Sequence, residues 1–421
     1  MPTMLGLVGV LLTLATLFAV INQKTLKLPL TIGVLLFTLV TSGLVMGLNA
    51  LTPHQAFLSI PREILDTINL PSWLLDGALA ILLFAGAMQV DLDHLIRRKF
   101  SIVALAILGT VLAVLLLAFA AWLIFPVLGV HVPISWCILL GAILAPTDPV
   151  SVVGMLRRLG LPPHLQAIFA GESLFNDGVG IVIFTLAIGV ATGETATVTP
   201  GDVFMGFLHE AGGGIVLGIM TGWLMLQIVR TVDDAHIHLL ASLALATGTY
   251  GLAHTLGMSG PIAVVAAGMS LGSVRGRTYI AGHSREELQT FWTLIDEVFN
   301  ALLFLLIGLV IFAITPTWSN CILTLAIIPL AVLARGLSVF LSTVPMHLHP
   351  GKDRGRLLSI LTWGGLRGGI SVALALSLPE GALRNTLLPI CYGVVVFTIF
   401  AQGLTMERVV HYLYPELGNQ A

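Results

Sequence analysis

Gly171-Glu172-Ser173-Leu174-Phe175-Asn176-Asp177-Gly178 sets two carboxylates, an amide and a hydroxyl inside an otherwise apolar run. Gly180 to Val190 on one side is almost wholly apolar, and Leu165 to Ala170 on the other is mostly so. The run is long enough to cross a membrane, which takes about 20 residues at about 1.5 Å each. An ionisable group at that depth costs roughly 2.5–3.5 kcal/mol, so a pair of them marks a functional site. Ser173 and Asp177 are i,i+4, and so are Glu172 and Asn176. All four polar side chains therefore share roughly one third of the helix circumference. Such a face points into protein or a wet cavity, not into lipid.

Working outward, the 421 residues are 57% hydrophobic and only 10% charged, where a soluble chain carries about 25% charge. Thirteen apolar segments follow one another, near 4–22, 28–48, 73–90, 101–129, 133–156, 164–192, 201–230, 235–256, 260–274, 291–314, 318–345, 355–378 and 383–408. They are long and continuous, unlike the short alternating strands of a membrane barrel. The class is an all-α polytopic membrane protein, with the lipid bilayer as its surroundings. A net charge of −2 gives no basis for a nucleic-acid partner. Cys137, Cys321 and Cys391 lie in separate apolar segments without metal-ligand spacing, and no cofactor is expected. Met1 to Val20 carries no charge, and Lys24 and Lys27 come after it, so the first segment is a retained helix rather than a signal peptide.

Lys and Arg positions orient the chain. Fifteen of the 19 lie in loops after odd-numbered segments or in the tail. Arg62 and Arg384 follow even-numbered segments, while Arg335 and Arg367 fall inside segments. By the positive-inside rule the basic loops are cytoplasmic, with the N-terminus outside and the C-terminus inside a plasma (inner) membrane. Pro61 to Pro71 reads as a short external linker, and Ile280 to Thr290 as an interfacial helix leading into the tenth span.

Two segments are broken. Ala145-Pro146-Thr147-Asp148-Pro149-Val150 holds two prolines, which leave the carbonyls of Ala142 and Ala145 without helical donors. In lipid such carbonyls must face protein or line a cavity. Beside a carboxylate they are hard oxygen ligands suited to an alkali cation. Gly364-Gly365-Leu366-Arg367-Gly368-Gly369 is the second weak point, and it carries a cation. The breaks are in spans 5 and 12. With span 7 as linker, each is the fifth helix of a six-helix half, and the two run in opposite directions. That is the pattern of an inverted-repeat secondary transporter with its site near the midplane. The chain reads as one transmembrane domain, 1–421: repeats of about 1–192 and 235–408, a linker helix at about 201–230, and a short cytoplasmic tail, 409–421.

The blocks at 145–150, 171–178 and 364–369 together resemble the signature blocks of the first monovalent cation:proton antiporter family, which holds the bacterial NhaP-type and animal plasma-membrane sodium/proton exchangers. Phe291-Trp292 through Asp296-Glu297 to Asn300-Ala301-Leu302-Leu303-Phe304 and Gly308 resembles it too. The resemblance spans the whole membrane region. It implies an NhaA-like antiporter fold, with the broken helices crossing near the midplane, and a homodimer. It also implies a sodium (or lithium)/proton antiporter serving pH homeostasis. The related electrogenic branch has two aspartates where this chain has Asn176-Asp177, so electroneutral 1:1 exchange is expected. The long tail of the animal members is absent.

On this reading Asp177 is the transport carboxylate, binding a proton or a cation in turn. Desolvation favours the proton-bound form and a neighbouring cation favours the anion. Ser173, one turn earlier, offers a hydroxyl ligand, the alternative being a back-bond to its own helix. The resemblance implies that the Thr147 main-chain oxygen and the Asp148 carboxylate also face the sodium ion. Asp148 alternatively caps a half-helix N-terminus. A structural Glu172–Arg367 ion pair is likewise implied. Asn176 orients the site by hydrogen bonds, since an amide carries no exchangeable charge. Arg335 is an auxiliary cation, matched to Asp296 or to a helix end. Asp296 and Glu297 either line an inner funnel or are solvated. The 12 histidines, mostly at helix ends, read as interfacial groups or as pH sensors. Gly212-Gly213-Gly214 and Gly218 allow close helix packing or a dimer contact.

Three other functions share parts of this pattern. Potassium/proton exchange uses the same mechanism. A cation channel requires a ring of like groups, whereas this cluster is asymmetric. An intramembrane serine protease is suggested by Gly257-Met258-Ser259-Gly260 with His254 nearby, but no histidine sits mid-span as a base.

Overall fold

The computed structural model describes residues 4–51, 70–90, 92–148, 153–154, 156, 159–193, 199–280, 282–315, 317–344 and 352–415. The expected linker up to residue 69, Pro149, the basic pair Arg157 and Arg158, and the tail beyond Pro415 lie outside them. Among the described residues the chain is all-helical. The long apolar runs form helices because each one satisfies its own backbone in a solvent that offers no hydrogen bonds.

In chain order the principal helices are α1 (Met4–Lys24), α2 (Leu30–Leu51), α3 (Trp73–Gln89), α4 (Lys99–Val127), α5 (Ile134–Leu144), α6 (Pro163–Thr192), α7 (Gly201–Val229) and α8 (Ala235–Thr255). They continue with α9 (Gly260–Gly272), α10 (His283–Ala313), α11 (Trp318–Thr343), α12 (Lys352–Trp363), α13 (Gly369–Leu376) and α14 (Ala382–Leu413). Eight described helices are long and apolar enough to cross a membrane by length and composition: α1, α2, α4, α6, α7, α10, α11 and α14. The expected interfacial helix before the tenth span is not separate. His283 to Leu309 is one continuous α-helix, since nothing between Ser284 and Thr290 breaks the ladder.

Local chemistry sets the ends. Asn22 folds over the turn after α1: its Nδ2 donates to Leu28 O at 2.8 Å and its Oδ1 accepts the Leu28 N–H at 3.2 Å. Asp234 caps α8 by accepting from the His236 and Ile237 N–H groups, and Ser259 caps α9 by accepting from Ile262. α6 opens on Pro163 and closes on left-handed Gly193.

The helices pack as two groups. α7, α8, α9, α3 and α10 adjoin one another, with α2 against α10 and α1 against α2. α4, α5, α6, α11, α12, α13 and α14 form the other. Within the first group Trp292 of α10 is fully buried, meets Phe84 of α3 at a tilt with ring centroids 4.7 Å apart, and donates its indole N–H to Ser242 of α8.

Gly214 and Gly218 of α7 serve close packing inside the molecule, the first of the two uses expected for this stretch. A Cβ at Gly214 would lie 2.8 Å from Ser259 O, and one at Gly218 would run into Ala263 O. Close approach to α9 therefore requires these glycines. Gly218→Val should lower the apparent melting temperature of detergent-solubilised protein, by the roughly 1–3 kcal/mol typical of overpacking. Gly248→Ala on α8, where a Cβ meets nothing within 4 Å, should not.

Candidate functional site

The ladder of α5 stops at Leu144, and 145–148 are non-helical. Span 12 is likewise divided, into α12 and α13, by the non-helical stretch 365–368. The breaks lie against each other: Asp148 N–H donates to Leu366 O at 2.8 Å. Gly368 is where the crossing is tightest, since a Cβ there would sit 2.8 Å from Asp148 Oδ2. The Asp148 carboxylate thus lies at the N-terminal end of α13, where the helix dipole favours a negative charge.

α6 presents its polar face to this crossing. Glu172, Ser173, Asn176 and Asp177 are each at most 3% exposed. Ser173 does not back-bond to its own helix; its hydroxyl donates to Thr147 O. Asn176 acts as the expected organiser. Its Nδ2 donates to Thr147 Oγ1 at 2.7 Å and to Glu172 Oε1 at 2.9 Å, and its Oδ1 faces the Thr147 N–H at 3.4 Å.

The buried ion pair differs from the one expected. Glu172 is held by Arg335 of α11, not by Arg367, through two parallel bonds of 2.8 Å from Nη1 and Nη2. Arg335 also reaches Leu361 O, tying the end of α12 to this pair. It is therefore not the partner of Asp296. Arg367 instead donates from Nη1 to Ala145 O at 2.6 Å and to Pro146 O at 3.3 Å. The reason is the break itself. Carbonyls that have lost their helical donors carry partial negative charge, and a guanidinium supplies donors and countercharge together. The Ala145 carbonyl, expected as an ion ligand, is taken up by this arginine. Sequence reasoning passed over Thr398. Its Oγ1 accepts the Arg367 N–H at 3.1 Å while donating to Val395 O, from the π-helical turn Thr398–Gln402 of α14. A lone threonine in an apolar helix gives no signal of this in the sequence.

Asp177 stands apart from these pairs. Its Oδ1 is buried and has no hydrogen-bond partner among the described residues. The residue lines a cavity of about 500 Å³ between the two helix groups. Thr147, Asp148, Asp177 and Gly368 form one wall, and Asp296, Glu297 and Asn300 of α10 another. From Asp177 the cavity extends to Gly154 and Gln166 and to Gln89 and Val90, the end of α3 that leads to Arg97 and Arg98 in the chain. Asp296 is held by Asn300 Nδ2 at 2.9 Å. Asp296 and Glu297 thus both stand on the cavity wall, as the funnel reading expects.

The sequence profile of the transmembrane sodium/hydrogen exchangers matches residues 10–412. The chain belongs to the sodium/hydrogen exchanger family. It is 38% identical over 417 residues to the Na(+)/H(+) antiporter NhaP of Pseudomonas aeruginosa, covering 98% of this chain and 97% of that one. It is 36% identical over 351 residues to the Na(+)/H(+) antiporter ApNhaP of Aphanothece halophytica, covering 82% of this chain and 66% of that one. The fold is similar to that of the sodium proton antiporter MjNhaP1 of Methanocaldococcus jannaschii, with a TM-score of 0.75, 21% identity and 98% of each chain covered. Exchangers of this family are transporters, not enzymes, and Ser259, the residue behind the protease alternative, is an N-cap only 6% exposed.

Two expectations follow from this geometry. Glu172→Gln should cost roughly 3–5 kcal/mol by stranding Arg335. In double-mutant cycles followed by thermal melting, Glu172 should couple strongly to Arg335 and weakly to Arg367. Thr398→Val should cost about 1–3 kcal/mol by leaving the Arg367 N–H unpaired, and Thr398→Ser should recover most of it.

Proposed function

We propose that the chain is a secondary active sodium/proton antiporter working by alternating access, with Asp177 as the carboxylate for which proton and cation compete. The observation that carries this is the unpartnered, buried Oδ1 of Asp177 at the head of the cavity. A buried carboxylate oxygen without a donor is costly. Either a proton or a bound cation relieves that cost, and the two are mutually exclusive there. Each 1.4 kcal/mol of difference between them is about tenfold in occupancy.

Around Asp177 we assign the Ser173 hydroxyl, the Thr147 main-chain oxygen and the Asp148 carboxylate as further ligands of the transported ion. Sodium suits such hard oxygens, and lithium shares that chemistry. Asn176 spends both ends of its amide on Thr147 and Glu172. It therefore positions the site and carries no proton, which leaves one titrating group at the pair and supports 1:1 electroneutral exchange. Glu172 with Arg335, and Arg367 with the α5 carbonyls, hold the crossing while its neighbour changes charge.

In this reading the chain spans a plasma (inner) membrane thirteen times, N-terminus outside and C-terminus in the cytoplasm. It forms inverted repeats of about 1–192 and 235–408 joined by α7, with breaks 5 and 12 crossing near the midplane, and it assembles as a homodimer. The cavity reaches the end near the basic loops, so the conformation faces the cytoplasm. Its place between the two helix groups supports movement of one group against the other.

The test uses proteoliposomes with an internal pH dye and an acid-inside gradient. Sodium or lithium added outside should alkalinise the lumen, and Asp177→Asn should abolish the response. Alkalinisation by potassium alone would keep the mechanism and change the ion. Near-normal exchange by folded Asp177→Asn protein would reject the site.

A further inference from the structure

A second cavity, of about 300 Å³, lies beside the inner end of the first and has the opposite chemistry. Arg277 and Arg285 both line it, with Gln89, Gln289 and Thr293 as the other polar groups. No carboxylate is among its described lining residues. Arg277 is aimed by a bond from its Nε to Gly272 O at 3.0 Å. Arg285 stands close enough to Arg277 for the two charges to repel. It is half-buried, and its guanidinium has no hydrogen-bond or ion-pair partner among the described residues. Two guanidiniums turned into one pocket, one of them without an acceptor, form a receptor for an anion. Paired planar forks match the oxygens of a phosphate better than a point charge would.

We infer that this cavity binds a phosphate monoester or phosphate dianion, from an anionic lipid headgroup or from solution, and that occupancy promotes cation entry. The coupling is structural. Gln89 and Thr293 line both cavities, and the Gln89 side chain bonds the Asp296 carboxylate. Thr293 lies one helical turn before Asp296 and Glu297. Empty, the pocket holds the Arg285 charge, which no described residue pairs, near a mouth that must attract cations. Filled by a dianion, it no longer opposes Asp296 and Glu297, and the local cation concentration rises. The effect on transport rests on the antiport reading; the binding does not.

The binding experiment melts full-length protein in detergent during titration with dihexanoyl phosphatidic acid or inorganic phosphate, against chloride at matched ionic strength. Stabilisation by several degrees is expected for wild type. It should be lost in Arg285→Gln and only partly kept in Arg285→Lys. Arg285 is the residue to change because its guanidinium gives up no bond to a described residue. A response to the lipid alone assigns a headgroup; an equal response to phosphate assigns a soluble anion. No shift with either probe, or an equal shift in Arg285→Gln, overturns the site. In proteoliposomes, phosphatidic acid should lower the apparent sodium KM of wild type several-fold and leave that of Arg285→Gln unchanged; an equal change in both would overturn the coupling. Absence of exchange in wild type that still binds the anion would count against the antiport reading and leave the site standing.

Discussion

A helix broken inside a bilayer must find donors and acceptors within the protein, because lipid supplies none. Everything at the centre of this molecule follows from meeting that demand twice. The two breaks are placed so that each answers the other. Asp148 N–H bonds Leu366 O, and the Arg367 guanidinium covers the Ala145 and Pro146 carbonyls. What the breaks leave over is taken by neighbours. Ser173 of α6 reaches Thr147 O, and Thr398 of α14 accepts the Arg367 N–H. The crossing is thus held from both sides by helices of its own group.

The same region sorts its charges by function. Glu172 and Arg335 form a closed, bidentate pair, with Asn176 passing the constraint to Thr147. Arg367 balances helix ends rather than a carboxylate. Asp177 is left with an oxygen that nothing in the described protein satisfies. A site that must alternately hold a proton and a cation needs one such group and a rigid surround. Across the cavity, Asp296 and Glu297 belong to the other helix group. Motion of one group against the other would therefore change the distance between these two carboxylates and Asp177.

Much of this was legible in the residues. Continuous apolar runs dictated helices, since no other open structure closes its hydrogen bonds in lipid. Pro146 and the Gly364–Gly369 cluster marked the breaks, because one lacks a donor and the others lack side chains to favour a helix. The i,i+4 spacing placed the polar face of α6, and the amide chemistry of Asn176 predicted an organiser. The arginines were misassigned for a physical reason. Arg335 and Arg367 are alike as charges, and sequence gives no distance from either to Glu172. The resemblance favoured the arginine in the glycine-rich break, whereas the carbonyls of the other break compete for that guanidinium.

By itself the sequence determined the class, the long apolar helices, where two of them break, and that the polar face of α6 is buried. Composition, period and backbone chemistry are properties read along the chain. Only the tertiary structure decided the pairings: Glu172 with Arg335, Arg367 with main-chain oxygens, Thr398 with a backbone N–H, the glycines of α7 with α9, and the Asp177 Oδ1 with no described residue. Those partners lie from 26 to more than 220 positions apart. Which of two identical charges meets a given acid depends on ångström-scale distances that packing alone sets.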